Sequence, residues 1–229
     1  MRTLLFFFTV VLFFSFKIAA PPELKLSAKL KNAKHFRLLK NLEVIAPCDS
    51  KLKNSEMDVF TGFAVILNNK IVYQDTTFSS FITKDGPFVA YAFSDNTYQV
   101  LIPQNFLPVD IRQLSLTFKK GLLQKKETIP MFLNNGTNLD ADTLKEFAGV
   151  NFNSTELPCV GAQACDSIWY WPILVYEKTN SGFQIDTALT KKETASIYGS
   201  FHGFQNDEKI ILPVYGKFQK ETDRLRNLK

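Results

Sequence analysis

Cys159 and Cys165 have the widest choice of chemistry in this chain. They stand in LPCVGAQACDSIWYWPILVYEK, residues 157–178, just ahead of the only two tryptophans, Trp169 and Trp171. Two thiols this close suit a redox pair, half a zinc site or a disulfide. Redox pairs favour C-x-x-C with a neighbouring cation that lowers the thiol pKa. Here the spacing is C-x5-C, with no His or Lys between the thiols. A closed zinc site needs four ligands, and the two histidines, His35 and His202, lie in unrelated segments. The spacing instead predicts a Cys159–Cys165 disulfide, closed over small residues that suit a tight turn and contributing about 2–3 kcal/mol by the loop-entropy model. Pairing of Cys48 with either partner is the alternative and would close a loop of more than 100 residues. With the local bridge made, Cys48 is left over, as a buried thiol or as the bridge of a covalent dimer.

Other reactive constellations are missing. The sequence holds no G-x-S-x-G, no H-E-x-x-H and no P-loop lysine. His202, within SIYGSFHGF, reads as a strand residue with a satisfied ring nitrogen. Asp140, Asp142 and Glu146 imitate a calcium loop, but an EF-hand needs glycine at its sixth position and a carboxylate at its twelfth. Neither is present, so the acids read as the first turn of a helix. No catalytic residue, metal ligand or cofactor is expected.

The N-terminus speaks to compartment. Met1-Arg2 precedes fourteen uncharged, mostly apolar residues, then Lys17 and the small pair Ala19-Ala20. A basic start, a short apolar run and small residues make a secretory signal over 1–20; Lys17 and Pro21 leave an uncleaved anchor as the alternative. Asn135-Gly136-Thr137 and Asn153-Ser154-Thr155 are acceptor sequons that agree with export. Loss of residues 1–20 removes Arg2 and Lys17 and lowers the net charge from +5 to +3. Nucleic acid is therefore not an expected partner. The basic residues cluster, with Lys25, Lys29, Lys31, Lys34, Arg37 and Lys40 opposed only by Glu23 before residue 41.

The elements that must position these residues are mostly strands. FTGFAVILNNKIVYQ (60–74) reads as a hairpin turning at Asn68-Asn69, and PFVAYAF with YQVLIP as a second around Ser94–Thr97. In the second, the buried face is either Phe88, Ala90 and Ala92 or Val89, Tyr91 and Phe93. Further strands are expected over 24–30, in NLEVIAP ending at Pro47, around 112–118 and 128–133, over 173–176, and in SGFQIDTALT, SIYGSFHGF and KIILPVYGKF. One short helix is expected near 140–149, with Asp140 as N-cap and Gly149 as its stop. The fold class is all-β, a sandwich or barrel of roughly ten short antiparallel strands. Residues 21–229 are expected to form a single domain, two smaller ones divided near 133–143 being the alternative. Sixteen of the 22 phenylalanines lie outside residues 1–20, enough to build a substantial core.

These features predict a secreted β-rich glycoprotein that binds an extracellular protein or glycan. Trp169, Tyr170 and Trp171 read first as core anchors at the entry to a strand and second as a candidate contact surface. Lys25, Lys29 and Lys31 on the first strand make another, suited to an anionic surface. The alternatives are a barrel that carries an apolar ligand and an extracellular hydrolase.

Overall fold

The computed structural model describes residues 24–48, 57–83, 88–105, 111–151, 167–204, 209–211 and 215–228. The expected signal at 1–20, Asn153, Cys159 and Cys165 fall outside them. The first half of the chain is two four-stranded antiparallel meanders. β1 (Lys34–Leu39), β2 (Leu42–Ala46), β3 (Met57–Leu67) and β4 (Lys70–Thr83) form the first sheet in chain order. β5 (Val89–Ala92), β6 (Thr97–Asn105), β7 (Ile111–Lys119) and β8 (Leu122–Pro130) form the second. Their turns use residues that tolerate left-handed backbone, with φ of +51° and +62° at Asn68-Asn69, +58° and +54° at Asp95-Asn96, and +52° and +81° at Lys120-Gly121. Paired left-handed residues twist in the same sense as the strands they join. Both expected hairpins are present, while β8 begins at Leu122, ahead of the strand expected around 128–133.

Alternation along each strand then assigns faces. Phe63, Val65 and Leu67 of β3 join Leu42 and Val44 of β2 against Val100, Ile102, Leu114, Leu116 and Phe118 of the second sheet. The second sheet is covered on its other side as well. Leu101, Ile129, Tyr91 and Phe93 pack there on Phe147, Leu174, Tyr176 and Phe183. Both alternatives for 88–93 are therefore in use: Phe88 and Ala90 face one layer, Tyr91 and Phe93 the other.

The second half supplies that outer layer. It contains β9 (Glu146–Val150), β10 (Ser167–Trp169), β11 (Ile173–Thr179), β12 (Gly182–Ile185), α1 (Thr187–Tyr198), β13 (Lys209–Ile211) and α2 (Tyr215–Arg226). A third antiparallel sheet runs β12-β11-β9, and β10 pairs with β13. Ile173 and Val175 on its far side pack with Tyr170 and Trp171 against Leu189, Ile197, Phe218 and Leu225 of the two helices. The result is an all-β body of stacked antiparallel sheets with a helical layer on one side. Residues 133–143 cross from the second sheet to the third, and those two sheets share a core.

Several expected elements differ. Residues 24–30 add no strand; a 3-10 turn, Ala28–Leu30, lies over the outer face of the first sheet instead. Leu26, Leu30 and Ala33 pack there on Ile45, Ala64, Ile66 and Ile71, a spacing of four and three rather than two. The expected helix near 140–149 is a bend followed by β9. Asp140 and Asp142 each accept the backbone N–H two residues on, at 3.2 and 2.6 Å, and such local bonds compete with helix. Gly149 is demanded by packing, since a Cβ there would lie 2.7 Å from Pro130 Cβ and 2.8 Å from the Met131 carbonyl oxygen. Finally, α1 takes the end of the strand expected in SGFQIDTALT and the start of the one expected in SIYGSFHGF, whose residues 199–204, His202 among them, form no strand; α2 takes the end of the one expected in KIILPVYGKF.

α1 has a specific task. β12 pairs with β11 only from Tyr176 to Thr179, leaving the amides of residues 171, 173 and 175 without a strand beside them. Trp171 N–H donates to Tyr198 Oη (3.0 Å), Ile173 N–H to Thr194 Oγ1 (3.1 Å) and Val175 N–H to Thr190 Oγ1 (2.9 Å). Four residues of helix rise about 6.0 Å and two residues of strand about 6.7 Å, so hydroxyls spaced by four keep pace with amides spaced by two. The helix replaces the missing strand. Asp186 caps it by accepting Leu189 N–H at 2.8 Å, and Gly199, at φ +79°, ends it.

Candidate binding surface

Five hairpin turns meet at one end of the stacked sheets. Asn41, between β1 and β2, donates from Nδ2 to Asn68 Oδ1 (3.1 Å) and to Tyr98 Oη (3.0 Å), joining the first turn to the second and to β6. Lys120 N–H donates to the Asn96 carbonyl (3.0 Å), joining the β7–β8 turn to the β5–β6 turn. Ser94 Oγ donates to the Asn180 carbonyl (2.8 Å), which brings in the turn between β11 and β12. Gly121 faces Val72 at the start of β4.

This end is basic. Lys40, Lys70, Lys119 and Lys120 are exposed, and none is ion-paired among the described residues. Arg37, Lys40, Glu43 and Asn69 line a shallow polar cleft of about 40 Å³ beside them. Lys125 and Lys126, farther along β8, are engaged by Glu127 (2.8 Å) and by Asp75 (3.6 Å) with Tyr73 Oη (2.8 Å). Those contacts raise the Lys126 pKa, the Tyr73 hydrogen bond being the largest cause. Asp95 is the exposed acid of the turns themselves. Sequence reasoning missed this surface because its lysines are scattered from 40 to 120.

The sequence-predicted contacts are placed elsewhere. Tyr170 is fully buried and Trp171 is 1% exposed, which agrees with their reading as core anchors and corrects the alternative of an exposed patch. The Tyr170 hydroxyl donates to the Gly203 carbonyl (2.8 Å) and accepts His202 N–H (3.1 Å), while the Trp171 ring meets Phe218 at 5.5 Å. Core packing uses these rings because each buries a large apolar area. Trp169 pairs through its backbone with Lys209; its side chain is outside the described set. Lys25, Lys29 and Lys31 are exposed, but on the segment covering the first sheet, not on a strand. Cys48 is half-buried against the first core and bridges Phe60 through the backbone. Asn135 is exposed on the bend before β9.

Two further clusters carry chemistry. Carboxylate oxygens of Asp140, Asp142 and Glu146 lie within 4.8 Å of one another, and together offer three oxygen ligands of the kind a hard cation takes. Glu146 is 1% exposed and accepts Leu139 N–H at 2.6 Å. Burial first, then Asp140, Asp142 and Glu177, push its carboxyl above the usual carboxylate range. Ser200 Oγ and His202 Nε2 share a hydrogen bond of 2.7 Å at an exposed site. This pairs a hydroxyl with a base, two parts of the arrangement that activates a nucleophile. No protein-family model matches the chain, and neither a curated protein nor a solved structure does.

Proposed function

We propose that this chain is a secreted, β-rich glycoprotein that acts by binding an anionic extracellular protein or glycan at the end where the hairpin turns converge. One observation carries this reading: four exposed lysines without ion partners among the described residues, held on turns that are bonded to one another. A surface fixed in advance loses little conformational entropy when a partner arrives. Export through residues 1–20 and the exposed Asn135 fit an extracellular setting. Against a ligand-filled barrel stands the interior between the first two sheets, which Phe60, Phe63, Val65, Leu116 and Phe118 occupy.

Retention on immobilised heparin, used as an anionic polymer, tests the reading. Replacing Lys40, Lys70, Lys119 and Lys120 by serine lowers the salt needed for elution, while replacing Lys25, Lys29 and Lys31 has the smaller effect. Exposed charges interact over about 10 Å at 0.1 M salt, so clustered ones act together. Equal shifts from both sets, or none from the first, reject the turn end as the contact surface.

A further inference from the structure

We propose that the tip of the β7–β8 hairpin docks the protein on an anionic phospholipid bilayer. Leu122 and Leu123 enter the headgroup boundary, and Lys119 and Lys120 meet the phosphates. The inference shares its basic end with the reading above but is separable from it.

The tip reads KKGLLQKK over 119–126, with no acid before Glu127. Leu122 is 49% exposed and Leu123 36%, and Gln124, Lys125 and Lys126 are exposed as well. Two successive strand residues normally point to opposite faces, one of them inward. Here neither is buried. The register shifts beside them, Thr117 pairing with Lys125 and Phe118 with Leu123, so a bulge at Gln124 interrupts the alternation of faces. The tip is braced. Lys126 donates to Tyr73 Oη at 2.8 Å, with its ammonium 5.5 Å from the ring centroid, and Lys120 N–H is tied to Asn96.

A braced tip with two bare leucines next to Lys119 and Lys120 matches the layered chemistry of a bilayer surface. Lysine stems lie along apolar surface while their ammonium groups stay among the headgroups. Amphipathic elements bind such surfaces through buried apolar area plus attraction to anionic lipid. An anionic polymer satisfies the lysines equally well but gives the leucines nothing. The leucines therefore favour a membrane.

Cosedimentation of the intact protein with phosphatidylcholine vesicles, with and without phosphatidylserine, tests this. Binding is expected to require the anionic lipid. Leu122→Ser with Leu123→Ser should weaken it on the order of ten-fold or more, leaving heparin retention unchanged. Lys119→Ser and Lys120→Ser should each weaken it about five-fold and lower heparin retention too. Both leucines are exposed, so unchanged thermal unfolding confirms that the variants are folded. Equal binding to neutral vesicles, or full binding by the leucine variant, overturns the proposal. Heparin retention without vesicle binding overturns the bilayer alone and leaves the basic end standing. Vesicle binding that survives the leucine changes and depends only on lysines assigns the tip to anionic polymers.

Discussion

The aromatic helix-covered layer and the lysine-rich turn end are built from opposite materials. Around β11, Tyr170, Trp171, Ile173 and Val175 are buried, and every second amide from 171 to 175 finds an acceptor on α1. At the turns, Lys40, Lys70, Lys119 and Lys120 face solvent, beside the bare Leu122 and Leu123. Tryptophan and tyrosine are favoured at binding surfaces. In this molecule the described ones near α1 are structural, and the exposed groups at the turns are cationic and aliphatic. Abundance of aromatic residues is therefore a poor guide to what this molecule exposes.

The contrast breaks most sharply at the rings. Tyr170→Ala with Trp171→Ala should cost about 3–5 kcal/mol for each ring removed, the cost of a large cavity. Thermal unfolding would show a large fall in midpoint or no cooperative transition at all. A stable, folded double variant would place the rings outside the core. The turn-end serine variants should by comparison stay within about 0.5 kcal/mol of the parent, as exposed substitutions do.

Next in size is the helix that stands in for a strand. Thr190→Val with Thr194→Val keeps shape and volume but strands the Val175 and Ile173 amides, at about 1–3 kcal/mol apiece for a buried unpaired donor. Hydrogen exchange at those two amides should accelerate, with β9 following because it pairs with the same strand. Unchanged exchange would mean that α1 packs on β11 without closing its edge.

The smallest effect is electrostatic and depends on pH. Glu146 is raised chiefly by burial, and burial likewise leads the causes that raise Glu177 and Glu193. A carboxyl whose folded value lies above its unfolded value holds its proton longer in the folded state. Its contribution is full below the ordinary carboxylate value of about 4.3 and is lost as pH rises through the raised folded value. Glu146→Gln keeps an oxygen for Leu139 N–H, so the variant's unfolding midpoint should fall less steeply than the parent's as pH increases across that window. An identical slope would remove Glu146 from the account.

Local signals in the sequence were enough for the hairpins. Asn68-Asn69 and Asp95-Asn96 announce their turns, and alternation around Phe63, Val65 and Leu67 selects the buried face. The break between Trp171 and Ile173 at Pro172 is equally local, since proline cannot donate within a ladder. α1 was hidden because its β-branched threonines resemble a strand, and their reason for being there is tertiary. Asp186 and Gly199 bracket it as N-cap and stop, and were the usable clue. Around 140–149 the opposite happened. Aspartates suited to capping a helix instead turn the chain, and Gly149 makes room for Pro130 and Met131. The turn end was illegible for a different reason: it is assembled from five segments between residues 40 and 181, and only their hydrogen bonds bring them together.

Hydrogen exchange in the presence of a heparin fragment tests the placement of the contact surface most directly. Slowed exchange is expected at 40–41, 68–70, 95–97 and 119–121, with no change across 171–176. Protection confined to 24–31, or appearing at 167–171 while the turns remain unaffected, would contradict the account.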